Sequence, residues 1–181
     1  DIGGGTTEVA VISLGGVVAS QSVRIGGDEL DQAIVEYIKR EHSAAVGIRM
    51  AERIKIKLGS AYPLEQEFRA EVNSSDLVTG MPRPVSFSTR EIREAIEAPV
   101  IAIVDAVKTT LDQTPLELGA DIMNRGITLA GGGALLMGLQ ERLREETGMD
   151  VWLATDPLHA VVLGAGRALE EIDRFGTMIF G

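Results

Sequence analysis

The stretch Asp1-Ile2-Gly3-Gly4-Gly5-Thr6-Thr7 sets a carboxylate, three glycines and two hydroxyls within seven residues. Glycine admits positive φ and close approach, so such a tip can turn successive N–H groups toward an anion. Asp1 can face a phosphate-bound Mg²⁺ through water, the usual arrangement for that ion, and Thr6 can add a hydroxyl or an N–H. Phosphate loops of the P-loop and dinucleotide kinds run from a strand into a helix. Here Thr7 to Ser13 is β-branched and apolar, so both kinds are excluded and a strand–glycine–strand hairpin remains. Taken alone, it reads equally as a phosphate cradle or as a turn without a ligand. A second run, Gly131-Gly132-Gly133-Ala134, follows the strand candidate "ITLA". That is where open α/β sheets place ligands, although a tight strand-to-helix turn is the plainer reading. A third element is Glu52 with Lys55, spaced i, i+3. The carboxylate can take ribose hydroxyls while Lys55 flanks a base and Gly59 leaves room one turn on. The plainer reading is a surface ion pair worth a few tenths of a kcal/mol.

These groups need elements to hold them. Thr7–Ser13, a Gly15-Gly16 turn and Val17–Ile25 predict a β-hairpin. The spacing of Leu30, Ala33, Ile34, Tyr37 and Ile38 predicts a helix closing on Lys39 and Arg40. A shorter helix follows, with Ala51, Ile54 and Leu58 as its apolar stripe and Gly59 and Pro63 as its stop. Phe68, Ala70 and Val72, then Val85 and Phe87, alternate as short strands punctuated by Gly80 and Pro82. Ser88 to Glu91 matches a capping box opening a long helix along Ile92, Ile96, Val100, Ile103, Val107 and Leu111. Pro99 lies inside it, and a kink or break is expected there. Thr114-Pro115 and Gly126 bound a further helix. "ALLMGLQERLREETG" reads as one helix, "DVWLA" as a strand, and Asp156-Pro157 leads into a last helix carrying Leu158, Val161, Val162, Ala165, Leu169 and Ile172. A frayed tail is expected beyond about Phe175.

Composition narrows the function. The formal net charge of −10 argues against a nucleic-acid partner, which needs clustered Lys and Arg. A single nucleotide is still compatible, because backbone N–H groups and a metal can hold it. No cysteine is present, which removes disulfides, Cys-based zinc and thiol chemistry and suits a reducing compartment. The two histidines, His42 and His159, are far apart and read as surface residues. No apolar run approaches the ~20 residues of a membrane span.

The order DIGGGTT, AERIK, LAGGGALL resembles the actin-like ATPase superfamily of actin, DnaK-type chaperones and sugar kinases. "DIGGGTTEVAVISLGGVV", "RIGGDELDQAIVEYI", "AERIKIKLGSAYP", "LAGGGALLMGL" and "DPLHAVVLGAGRALE" are similar to the C-terminal half of the MreB/Mbl bacterial actins. Only Glu65 to Phe87 matches loosely. The resemblance implies an α/β, ribonuclease H-like ATPase lobe, a mixed sheet flanked by helices with a small α+β insertion. It implies a core of residues 1–25 and 89–155, an inserted subdomain of 26–88, and a C-terminal helix and tail of 156–181 that packs on the first lobe. By the same resemblance Gly3, Gly4, Gly5 and Thr6 contact the β- and γ-phosphates of ATP or ADP, and Asp1 helps position Mg²⁺. Glu52 and Lys55 hold the adenosine, and Gly131, Gly132, Gly133 and Ala134 pass under the base and α-phosphate. Such proteins polymerise on themselves into cytoplasmic filaments beneath the inner membrane. They organise the cell-wall synthesis machinery, engage the membrane-linked partner RodZ, and set rod shape.

The family's first phosphate loop and the glutamate orienting the attacking water are absent from this sequence. So are the segments that touch the membrane. Only Asp1 and Ile2 precede the glycines, so the expectation is a fragment cut within a strand, with no catalytic residue and negligible hydrolysis alone. Two alternatives remain at this point. One is the lobe of another actin-fold ATPase, of the chaperone or sugar-kinase kind; the other is a non-catalytic interaction module that retains the fold.

Overall fold

The computed structural model describes residues 1–171 of the 181-residue chain. The expected frayed tail, and Ile172 of the last apolar stripe, lie outside the described residues. The chain opens as an antiparallel hairpin, β1 (Thr7–Ser13) and β2 (Gly16–Val23). Its two-residue turn, Leu14-Gly15, has φ of 50° and 81°, the positive-φ pattern that matches the right-handed twist of paired strands. Helix α1 (Gly27–His42) follows and buries Leu30, Ile34 and Ile38. A two-residue strand, β3 (Ala44–Ala45), gives no alternation signal and was not foreseen; it pairs with β4 (Arg69–Asp76), which pairs in turn with β5 (Pro82–Ser88). Between β3 and β4 lies α2 (Ile48–Leu58), whose Ala51, Ile54 and Leu58 stripe is buried as the spacing predicts.

Helix α3 (Thr89–Asp112) packs against β1, β2, α1, α2 and β5. Its capping box is formed: the Glu91 N–H donates to Ser88 Oγ at 3.2 Å, and the Ser88 N–H donates to Glu91 Oε2 at 2.9 Å. Ile92, Ile96, Val100 and Ile103 are at most 1% exposed, each buried side chain of this size contributing about 1.5–3 kcal/mol. Of the kink or break expected at Pro99, the break does not occur: α3 continues through it as one helix. Ile96, Val100 and Ile103 share a buried core with Leu30, Ile34 and Ile38 of α1 and Ala51, Ile54 and Leu58 of α2. That packing outweighs the one backbone bond a proline removes.

Helix α4 (Leu116–Arg125) and β6 (Ile127–Leu129) come next. The single helix expected over "ALLMGLQERLREETG" is instead two pieces. A 3₁₀ turn covers Gly132–Leu135, and α5 (Leu139–Thr147) starts only after Gly138 at φ 71°. The reason is tertiary: a Cβ on Gly138 would stand 2.8 Å from the Tyr62 Cβ. Strand β7 (Val151–Leu153) pairs parallel with β6, and α6 (Ala160–Glu170) closes the described chain. Parallel and antiparallel pairings thus coexist, in three sheets among the described residues. The facing edges of β1 and β6 line a cavity of about 620 Å³ walled by α3 and α4.

Candidate functional site

The first glycine run is a hairpin tip, as its flanking residues predict. Ile2 bridges Thr7, the Gly3 N–H donates to the Thr6 carbonyl at 2.8 Å, and the Glu8 N–H donates to the Asp1 carbonyl at 2.8 Å. Thr7 is 2% exposed, and its hydroxyl donates to the Ile25 carbonyl at 2.7 Å, tying the base of the tip to the entrance of α1. Gly4, Gly5 and Thr6 are exposed, and their N–H groups have no protein acceptor among the described residues.

The opposite, carbonyl side of the tip is occupied. The Gly27 N–H donates to the Gly3 carbonyl at 2.9 Å and the Asp28 N–H to the Gly4 carbonyl at 2.8 Å. Two donors of the first turn of α1, which have no partner inside the helix, are satisfied by the tip. A Cβ on Gly26 would lie 2.5 Å from the Gly4 oxygen and 2.7 Å from the Gly3 oxygen, so the approach requires glycine there. Gly26 and Gly27 are not among the residues that the sequence marks as candidates for the site. Their signal was a pair of glycines at an N-terminus where Ser, Thr, Asp or Asn is preferred.

The second glycine run meets the first through Ile2, which is 3% exposed. The Ile2 N–H donates to the Ala130 carbonyl at 2.8 Å, and the Gly133 N–H donates to the Ile2 carbonyl at 2.9 Å. Gly131 has φ 83°, and a Cβ on it would come within 2.3 Å of the Ile2 oxygen and 2.5 Å of Asp1 Oδ1. A Cβ on Gly133 would strike Ile2 Cγ2 at 2.2 Å. Gly132 is exposed and Ala134 buried. Two loops more than a hundred residues apart in the sequence are therefore joined through one buried residue, Ile2.

The α2 element closes the group. A Cβ on Gly59 would meet the Lys55 carbonyl at 2.5 Å and Leu136 Cδ1 at 3.1 Å, and the Ala61 N–H donates to the Met137 carbonyl at 2.7 Å. The end of α2 thus abuts the chain just after the second glycine run. Glu52 is exposed. The plainer reading of Glu52 and Lys55 as an ion pair is corrected here. The Lys55 ammonium pairs with Asp31 Oδ1 at 2.9 Å and donates to the Gly27 carbonyl at 2.9 Å. Asp31 is 5% exposed, and it is buried without being noticed in the sequence because it shares the inward side of α1 with Leu30 and Ile34. Burial raises its pKa above the ordinary carboxylate value; the Lys55 ammonium in close ion-pair contact opposes this, while Glu52 and Asp28 add to it.

Among the described residues no cluster of three or more His, Cys, Asp or Glu could hold a metal ion. Asp1 offers one carboxylate beside Gly131. That donor set fits an ion such as Mg²⁺ held mainly by water and by a ligand's phosphates, and does not fit an all-protein cage. No described helix is long and apolar enough to cross a membrane.

The family described as MreB/Mbl protein matches residues 1–177. The cell shape-determining protein MreB of Escherichia coli (strain K12) is 52% identical over 180 residues, which is 99% of this chain and 52% of that protein. The structure of MreB5 of Spiroplasma citri bound to AMPPNP superposes with a TM-score of 0.90 at 35% identity, over 96% of this chain and 52% of that one. The same protein bound to ADP gives 0.91 at 34% identity, over 100% of this chain and 54% of that one. The fold is therefore actin-like, and the chain spans about half the length of the relatives it matches.

Proposed function

The chain belongs to the MreB/Mbl protein family, and from that premise we propose that it is the ATP-binding second lobe of a filament-forming bacterial actin that takes part in determining cell shape. The observation that carries this is the meeting of the two glycine runs at Ile2, with α2 against the second of them. In this reading the N–H groups of Gly4, Gly5 and Thr6 receive the β- and γ-phosphates, and Gly3 anchors the tip. Gly131 to Ala134 pass beneath the base and α-phosphate. Glu52 takes ribose hydroxyls. Because the Lys55 ammonium already has two partners, the side chain flanks the base through its methylene stem. Asp1 holds Mg²⁺ through water, and the ion supplies neutralisation of the phosphate charge.

Residues 1–25 and 89–155 form the core of this lobe, with 26–88 inserted. We assign the apolar surface of α6 to packing against the other lobe of the longer protein. Val161, Val162 and Leu169 are 60%, 64% and 69% exposed, a concentration of aliphatic surface that marks an interface. Hydrolysis requires groups outside this sequence, so the chain by itself binds ATP weakly and turns it over negligibly. Self-association into filaments, a cytoplasmic location at the inner face of the membrane, a RodZ-type partner and the cell-wall synthesis machinery follow from the family.

The test is calorimetric titration of Mg-ATP into the full protein carrying this chain, beside its Gly4→Ala and Gly5→Ala variants. A Cβ at either position finds nothing closer than 3.9 Å, so the fold tolerates it and only an approaching ligand meets it. Loss of affinity by tenfold or more with unchanged thermal stability is expected. Unchanged affinity in both variants would favour the fold-retaining interaction module.

A further inference from the structure

We propose that Lys55 and Asp31 form a strut that fixes the position of the phosphate-binding tip, making both of them positioning residues for Gly3 to Thr6. The proposal rests on the nucleotide-site reading above.

The strut is a continuous chain of short contacts. Asp31 Oδ1 lies 2.9 Å from the Lys55 ammonium, the ammonium donates to the Gly27 carbonyl at 2.9 Å, and the Gly27 N–H donates to the Gly3 carbonyl at 2.9 Å. One residue along, the Asp28 N–H holds the Gly4 carbonyl at 2.8 Å. The pair is not a surface decoration, because the side chains are 16% and 7% exposed. Exposed pairs contribute little, whereas removing one partner of a buried pair leaves an uncompensated charge. The backbone is adapted to it as well. A Cβ on Gly27 would stand 3.2 Å from the Lys55 nitrogen, so glycine at this position lets the ammonium reach the carbonyl.

The consequence is mechanical. Helix α2, which carries the proposed adenosine contacts, is tied through one side chain to the first turn of α1. That turn in turn carries the two N–H groups that hold the tip by its carbonyls. Weakening the strut therefore acts on the phosphate end of the site, about which a base-flanking lysine would say nothing.

The experiment uses Lys55→Met and Asp31→Asn in the full protein, with Ile103→Val as a core substitution that costs stability without touching the strut. Residue-resolved amide hydrogen exchange reads Gly27 and Asp28, and titrations use inorganic tripolyphosphate and, separately, adenosine. Both strut variants are expected to speed exchange at Gly27 and Asp28 and to weaken tripolyphosphate binding about tenfold, while Ile103→Val does neither. Unchanged exchange at both amides in both variants overturns the proposal. So does a loss confined to adenosine, which would make Lys55 a contact of the base alone. If the unsubstituted protein binds neither tripolyphosphate nor ATP, the nucleotide reading fails instead, and the exchange data alone decide on the strut.

Discussion

Gly26→Ala isolates the contact between α1 and the glycine tip. Gly26 has φ −157°, an extended conformation that alanine adopts freely, so the backbone itself resists nothing. The new Cβ, however, would stand 2.5 Å from the Gly4 oxygen, and real Cβ contacts begin at 3.0–3.4 Å, so the tip or the helix must move by roughly 0.5–0.9 Å. The bonds from Gly27 and Asp28 to the tip are 2.9 and 2.8 Å long, and such a displacement takes them beyond the ~2.7–3.2 Å range of N–H···O bonds. Each is worth about 0.5–1.5 kcal/mol net. Overpacking strain of about 1–3 kcal/mol adds to this where the structure does not yield, giving an expected cost of about 2–6 kcal/mol in all. Urea unfolding measures that cost, and calorimetry measures ATP affinity, which should fall at least tenfold because the tip carries the donor N–H groups. Gly119→Ala is the control: nothing lies within 4 Å of a Cβ there, and α4 should gain about 0.5–1 kcal/mol. A Gly26→Ala protein within 0.5 kcal/mol of the unsubstituted one, with ATP affinity retained, would refute the claim that α1 pins the tip.

Leu14 is fully exposed and sits at φ 50° in the β1–β2 turn, so Leu14→Asn should raise stability by about 0.5–1 kcal/mol; a lower melting temperature would contradict this. Arg142 makes two bonds to Glu97, at 2.9 and 3.3 Å, and one to Glu146 at 3.1 Å, joining α5 to α3. Lysine cannot reproduce that fork, so Arg142→Lys should cost about 1–2 kcal/mol by urea unfolding, and a neutral result would show that charge alone suffices. The Thr89 hydroxyl and then the Arg93 guanidinium hold the Glu67 carboxyl below its ordinary 4.5. A depressed folded-state pKa contributes stability that is present above 4.5 and lost as pH falls through the lowered value. Glu67→Gln should therefore flatten the fall of unfolding free energy below that pH, and an unchanged acid limb would remove Glu67 from the account.

Much of the fold was legible because periodicity and punctuation act locally. The α1, α2 and α3 stripes, the Ser88 to Glu91 box and the tip between Ile2 and Thr7 all depend on neighbours within a few residues. What escaped the sequence depends on partners far along the chain. Gly138 delays the start of α5 because Tyr62 is packed against it. Pro99 is tolerated because α3 is braced on several sides. Lys55 stands three residues from Glu52 and at the correct helical spacing for it, yet pairs with Asp31 on another helix. Local spacing predicts which pairs can form on one helix, but a buried carboxylate left without a cation costs more than a surface pair returns. The glycines of the first and second runs are visible as triplets, whereas Gly26, the one that lets α1 reach the tip, stands in a pair whose partner lies more than twenty residues back in the sequence.

The glycines divide into two kinds, and the division bears on the proposal that an acidic chain binds an anion at this tip. Gly26, Gly131 and Gly133 are glycines because a Cβ would strike the protein itself, at 2.5, 2.3 and 2.2 Å. Gly4 and Gly5 face no such obstacle, so the fold does not explain them and a ligand would. The charge balance leads to the same place. With a net charge of −10, and with the Lys55 ammonium already committed to Asp31 and Gly27, α2 brings no unpaired ammonium to the tip. What remains is a set of N–H groups aimed by bonds to their own carbonyls. Backbone dipoles fixed in this way need no reorganisation when an anion arrives, and their strength depends on how rigidly the tip is held rather than on how many cations surround it. Control of such a site therefore lies in the groups that position the tip, at Gly26, Gly27 and the Asp31–Lys55 pair.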